Sequence, residues 1–232
     1  MRYVLILVAS ILLFPVGSAQ AQVSIGIGVN TPGISLGIHI GGYPRLVRIP
    51  GYPVYYDPYV QANYFFYDGL YWVFYSDNWY VSSWYNGPWQ LVGPYEVPLF
   101  ILRIPVRYYR HPPAYFRGWP ANAPPRWDRH WGPEWERHHK DWNRWDRRTA
   151  PAPAPLPRYQ KEYSGKRYPS QREQQRPIRT DKYRYTPREP VTREYYKGTR
   201  TDQRRTPAKK DQGRTPDKDR KDRRDDRDQQ RR

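Results

Sequence analysis

Between residues 23 and 40 apolar positions alternate with small or polar ones: Val23, Ile25, Ile27 and Val29, then Ile34, Leu36, Ile38 and Ile40. A repeat of two places each set on one face of a strand. Asn30-Thr31-Pro32-Gly33 between them is turn chemistry. The pattern predicts a β-hairpin whose opposite face, with Gly26, Gly28 and Gly37, is bare enough for another backbone or ring to approach. Residues 43–63 contain Pro44, Pro50, Pro53 and Pro58, which forbid a helix and predict an extended connector.

From 64 to 104 the pattern turns aromatic. Asp68-Gly69 and Asn86-Gly87 each sit between aromatic runs of strand type, and such pairs favour tight hairpin turns because both central residues need positive φ. Tyr67-Asp68-Gly69-Leu70-Tyr71 is echoed by Tyr85-Asn86-Gly87-Pro88-Trp89 eighteen residues later, and Ser76-Asp77-Asn78 supplies a third turn. A meander is expected, with strands near 62–67, 70–75, 79–85, 89–92 and 98–104. Its aromatics fall on both faces. One face packs a core; the other stays exposed unless the N-terminal hairpin covers it. Residues 105–125 read as extended chain wrapped on this domain.

Residues 126–148 change period. Pro133 suits the first turn of a helix. At 100° per residue, Trp135, Trp142 and Trp145 share one face with His138, while Arg137, Lys140, Arg144, Arg147 and Arg148 share another. Trp127 and Trp131 would prolong the Trp stripe if Gly132-Pro133 did not interrupt it. The stripe has two readings. It docks on the aromatic domain, or it is an interface element, because Trp favours the lipid–water boundary, flanking cations favour anionic headgroups, and Trp and Tyr stack on sugar rings. Beyond Thr149 the chain becomes low in complexity: APAPAPLP (150–157) is a stiff spacer, and 158–232 is Arg, Gln, Asp and Lys with isolated Tyr. Such a segment buries too little to offset ordering entropy and reads as disordered; a long charged helix is the alternative. The fold class is therefore expected to be a small all-β, aromatic-rich domain (hairpin plus meander) at 22–125. An amphipathic helix at 126–148 and a disordered basic tail at 149–232 would follow.

The N-terminus supplies an address. Arg2, the apolar run Val4 to Val16 and the small-residue exit Ser18-Ala19-Gln20-Ala21 read as a signal peptide over 1–21, with Ala19 and Ala21 as the cleavage determinants and Gln22 as the first mature residue. The run is shorter than the ~20 residues a spanning helix needs, and no later run is long enough. The chain has no Cys, which removes a lipid-modified site, disulfides, thiolate metal sites and thiol nucleophiles. Of the net charge of +18, residues 22–110 carry +1 and residues 111–232 carry +16. A basic, Tyr-interleaved tail usually suggests nucleic acid. An exported chain instead meets lipopolysaccharide phosphate, acidic lipid or polysaccharide, and self-association is also open.

Catalytic chemistry is not indicated. His39 has no carboxylate near it in sequence, most acids of residues 22–110 lie in or beside expected turns, and no nucleophile elbow, phosphate-binding loop or dinucleotide motif occurs. No cofactor is implied. His130, Glu134 and His138 are four residues apart and would align on a continuous helix, with His139 and His111 as further ligands for zinc, nickel or copper. Gly132-Pro133 breaks that spacing and the Trp rings crowd the same face.

VSIGIGVNTPGISLGIHIGGYP after a signal peptide resembles the start of uncharacterised exported proteins of Gram-negative bacteria. Trp84-Tyr85-Asn86-Gly87-Pro88-Trp89 is similar to the W-x-x-G-x-W repeat of another exported group, and Tyr67 through RIPVRYYRHPPAYFRGW resembles the aromatic block of hypothetical envelope proteins. The resemblance spans roughly 23–150. It implies export and an envelope role and brings no activity with it. The expectation is a non-enzymatic envelope protein, periplasmic or surface-associated, that engages an anionic component through the Trp/Arg helix and basic tail. The alternatives are a self-assembling matrix protein and a His-based metal-handling stress protein.

Overall fold

Aromatic alternation builds a sheet with two apolar faces. The computed structural model describes residues 36–38 and 40–198 and the backbone of 199–205. Six antiparallel strands run in sequence order: β1 (Val47–Arg48), β2 (Tyr55–Tyr56), β3 (Asn63–Tyr67), β4 (Leu70–Tyr75), β5 (Asn78–Ser82) and β6 (Gln90–Val92). Four α-helices follow among the described residues: α1 (Leu99–Leu102), α2 (Trp127–His138), α3 (Arg172–Lys182) and α4 (Pro190–Arg205). The protein is a sheet with helices around it rather than an all-β domain.

The central meander is as the sequence predicts. Phe65 faces Trp72 and Phe74 faces Trp79 across the ladders. The β3–β4 turn holds Asp68 at φ 50° and Gly69 at φ 86°, and the β4–β5 turn holds Ser76 at 46° and Asp77 at 62°. Positive φ at both central residues gives a turn twist that matches the strands. Asn86-Gly87 does not form such a hairpin. β5 ends at Ser82 and β6 begins at Gln90, so a longer loop intervenes, in which the Gly87 amide donates to the Trp84 carbonyl at 3.2 Å. The strand expected at 98–104 is instead α1: the Pro98 carbonyl accepts from the Ile101 and Leu102 amides at 2.9 and 3.1 Å. A short apolar run fits a buried helical turn as well as a strand. The connector at 43–63 adds two-residue strands to the sheet edge, Tyr55 facing Phe66.

Side chains sort by parity. Phe65, Tyr67, Leu70, Trp72, Phe74, Trp79 and Val81 project to one face, where Ile101, Leu102, Ile104, Tyr109, Phe116, Trp127 and Trp135 cover them. Tyr64, Phe66, Tyr71 and Val73 project to the other, with Tyr85, Trp89, Leu36, Ile40 and Ala154. The 105–125 stretch packs on the first face, as expected of chain wrapped on the domain, but with short 3-10 turns at Val106–Tyr108 and Ala114–Phe116 rather than as extended chain throughout. At a few kcal/mol per buried aromatic, these two layers dominate the fold's stability.

The expected disordered tail does not begin at 149. Residues 149–198 form a strap that crosses the second face and then adds α3 and α4. Ala154, Gln160, Tyr183, Val191 and Tyr195 are buried. Average composition hides the reason: isolated tyrosines and glutamines dock one at a time on an aromatic face that needs covering. The Tyr71 hydroxyl donates to Gln160 Oε1 at 3.0 Å, Gln160 Nε2 donates to the Ser83 carbonyl at 2.8 Å, and the Tyr168 hydroxyl donates to the Gly87 carbonyl at 2.6 Å. Residues 1–35, 39 and 206–232 lie outside the described residues. With them lie the signal peptide and its Ala19, Ala21 and Gln22, His39, most of the N-terminal hairpin and the end of the tail.

Candidate functional site

The helix predicted over 126–148 carried most of the candidate residues, and the structure redistributes them. Gly132 takes φ 82° and ψ 179° inside α2, so two helical pieces meet at a kink, and α2 ends at His138. Trp142 follows it in a turn and Trp145 in irregular chain. Trp135 is 0% exposed and Trp142 4%. The Trp135 indole N–H donates to the Pro94 carbonyl at 2.9 Å, and its ring meets Trp142 edge-on with centroids 5.6 Å apart. Trp145 is half-buried, edge-on to Tyr52 and Phe100 at 5.3 Å from each. Trp135 and Trp142 are therefore core and Trp145 packs against its edge, so the stripe faces inward rather than outward. An indole that can leave water by packing on an adjacent apolar sheet does so within the chain.

The basic residues of the same stretch are outward, and three of the five are locally matched. Arg137 pairs with Glu134 at 3.2 Å, Arg144 with Asp141 at 3.3 Å and Arg148 with Asp146 at 3.0 Å. Arg148 and its backbone amide hold the Asp146 carboxyl below its usual range. Arg147 lies over the Tyr52 ring at 5.5 Å, and Lys140 is exposed. This face does not concentrate positive charge.

The candidate metal ligands part company. His130 Nε2 lies 2.8 Å from Asp77 Oδ1, and its ring stacks on Tyr115 with centroids 4.2 Å apart. The Tyr115 hydroxyl donates to the same carboxylate at 2.6 Å; burial, then Asp77, push its pKa well up. His138 and His139 sit beside Tyr95, and Glu134 pairs with Arg137. The backbone of His111 exchanges hydrogen bonds with the Asn63 side chain at 2.7 and 2.8 Å. Among the described residues no three His, Asp or Glu side chains gather where a metal could sit.

Of the turn residues, Asp68 does more than turn the chain. Its carboxylate is 2% exposed. Oδ1 accepts from the Tyr185 hydroxyl at 2.7 Å and the Arg188 amide at 2.9 Å, and Oδ2 accepts from the Glu189 amide at 2.9 Å. A side chain from the β3–β4 hairpin thus serves backbone donors just before α4, the role an N-cap plays within one chain segment. Tyr67 donates to Glu189 Oε1 at 2.5 Å. Burial and then Asp68 raise the pKa of Glu189, while the Tyr67 hydroxyl opposes the shift. Gly69 admits the strap: a Cβ there would lie 2.9 Å from the Tyr196 hydroxyl and 3.1 Å from a Tyr185 ring carbon. Asn86 and Gly87 take part at the far end of the strap, where the Tyr168 hydroxyl accepts from the Asn86 amide at 3.1 Å.

The basic surface lies on that strap, where compositional reasoning expected no structure. Between 149 and 198 there are twelve Lys and Arg against five Asp and Glu, and nine of the twelve are exposed, among them Arg158, Lys166, Arg167, Arg184, Arg188 and Arg193. The others, Arg172, Arg176 and Arg179, recur at four and three residues on one side of α3; Arg172 lies 5.3 Å from the Tyr195 ring and Arg179 3.9 Å from the Tyr196 ring. Alternation of Tyr with Arg along the strap was the available signal: rings inward, charges outward. No helix among the described residues is long and apolar enough to cross a membrane. The chain matches no protein-family model, no curated protein and no solved structure.

Proposed function

We propose that this is a non-catalytic, exported protein of the cell envelope that binds a polyanionic surface electrostatically through its ordered basic strap. One observation carries the reading: the strap is anchored by its Tyr and Gln side chains while nine of its twelve basic groups stay in water. Such a surface presents positive charge on a backbone held in place by the packed side chains of the strap. Near an anionic bilayer each such group contributes about 1 kcal/mol, and the attraction is screened over ~8 Å at physiological salt. The signal peptide read over 1–21 supplies the route to lipopolysaccharide and acidic lipid. Trp84 enters as packing that holds the basic segment in place, edge-on to Tyr159, Tyr163 and Tyr168 of the strap.

The test is co-sedimentation of residues 22–232 and 22–205 with vesicles containing lipopolysaccharide or phosphatidylglycerol, at 50 and 500 mM salt. A cut at 205 keeps every described residue, whereas a cut near 150 would remove buried Tyr183, Val191 and Tyr195. Binding of both forms that falls steeply with salt, and falls further when Arg158, Lys161, Lys166 and Arg167 become Gln, is the expected result. Salt-independent binding, or none, overturns it.

A further inference from the structure

In a chain that buries most of its aromatic rings, the exceptions are informative. The exposed large aromatics among the described residues are Tyr59 at 67%, Tyr75 at 48% and Tyr95 at 46%. Tyr59 and Tyr75 line one trench at the end of the sheet where β3 begins and β4 ends. The trench consists of two hollows, of about 490 and 760 Å³, that share Ile38, Gln61 and Tyr75. Each has the size of a small-molecule site, and together they make an open channel rather than a closed cavity.

Its origin lies in the strand pattern. Parity sends Tyr75 to the same face as Tyr71 and Val73. Those two lie beneath the second layer, and Tyr75 lies past its edge, at the β4–β5 turn. Among the described residues Tyr75 has no ring partner, and Tyr59 has the Arg45 guanidinium 5.2 Å from its ring centre. The trench therefore keeps aromatic surface in water between residues 36–38 and 40–45 on one side and the β4–β5 turn on the other, an arrangement that apolar packing alone would remove.

The polar lining indicates what fills it. Two carboxylates are present and both are already engaged. Asp57 accepts from the amides of Arg45 at 2.5 Å and Tyr59 at 2.7 Å. Asp77 accepts from Tyr115 and lies against His130. Both are thus held in place. With Arg45 on the same wall the trench has no concentration of either charge. Gln61 and Ser76 are exposed and supply neutral donors and acceptors. Rings that offer a face, flanked by exposed neutral hydrogen-bonding groups and two carboxylates already held by other partners in an open channel, match a ligand with one C–H face and a rim of hydroxyls. We propose that this trench binds an uncharged glycan chain, with Tyr75 and Tyr59 as stacking platforms and Gln61 and Ser76 as hydrogen-bonding groups. The site is separate from the basic strap and does not depend on it.

The experiment is calorimetric titration of residues 22–232 with chitotetraose and cellotetraose at 0.15 and 1 M NaCl, beside co-sedimentation with insoluble chitin and cellulose. Binding to at least one of these that persists in 1 M salt is expected, which distinguishes it from attraction to the strap. Tyr75→Ala and Tyr59→Ala should each weaken it tenfold or more. Tyr95→Ala, an equally exposed ring elsewhere, should leave it unchanged. All three positions are exposed, so near-ultraviolet circular dichroism should show an unaltered fold. No binding to any of the four, binding abolished by salt, or binding retained by the Tyr59→Ala/Tyr75→Ala double variant overturns the proposal.

Discussion

Asp68→Ala should undo the junction between the sheet and the C-terminal strap. Three hydrogen bonds end on this carboxylate, from Tyr185, Arg188 and Glu189, and the residue is 2% exposed. Loss of an acceptor leaves each donor short of a partner at ~1 kcal/mol or more where the site is partly buried, so three donors cost about 3 kcal/mol. Ala at φ 50° adds about 1 kcal/mol, because a side chain without a local hydrogen-bonding group tolerates the left-handed region poorly. The expected loss is about 4 kcal/mol. Asp68→Asn separates the two contributions. Asn tolerates positive φ and retains one carbonyl oxygen, but its amide group faces the Glu189 N–H, so about 1–2 kcal/mol should be lost. Urea denaturation followed by tryptophan fluorescence gives both values, and limited proteolysis should show earlier cleavage within 149–198 for Asp68→Ala. If Asp68→Asn is silent, Asp68 serves only the turn and the capping role is wrong. A loss below 1 kcal/mol for Asp68→Ala refutes the reasoning outright.

Gly69→Ala should lower stability by about 1–3 kcal/mol, since φ is 86° and the new Cβ meets Tyr196 and Tyr185; thermal denaturation measures it. Trp135→Ala should cost about 3–5 kcal/mol, the range for emptying a buried Trp site, and its effect should appear in urea unfolding. Vesicle binding of the remaining folded protein should not change. The raised pKa of Glu189 has a definite sign. The unfolded chain releases this proton first, so the group's contribution to stability is full below the ordinary carboxylate pKa and is lost as pH rises towards the folded value. Glu189→Gln abolishes that dependence, so its melting temperature relative to the parent should climb between pH 4 and 7; a constant difference contradicts the assignment. Arg179→Ala should cost about 1 kcal/mol through loss of the stacked contact with Tyr196, seen as a lower urea midpoint.

The meander was legible because its information is local. Period-two aromatics, Asp68-Gly69 and Ser76-Asp77 specify strands and turns by sterics within a few residues. Asn86-Gly87 misled for the same reason: a pair able to make a tight turn makes one only if the flanking strands meet in register, and β5 had already ended at Ser82. The Trp face of 126–148 was visible as a stripe, yet its direction was not, because a stripe facing the core and one facing a membrane have the same periodicity.

What the sequence by itself determined is the centre of the sheet: the aromatic meander of β3 to β6, whose alternation leaves two apolar faces, one of which it cannot cover alone. The concentration of charge in the second half was equally plain. The tertiary structure alone decided what covers the second face. A window rich in Arg and Gln fails any average test for folding, but Ala154, Gln160, Tyr168 and Tyr185 each find a prepared site on Tyr71, Tyr85 and the 68–69 and 83–87 loops. Those gains depend on contacts between residues about 80 to 130 positions apart, and no local pattern records them. The same covering layer stops short of Tyr75, and so only the assembled fold shows which aromatic rings remain available to another molecule.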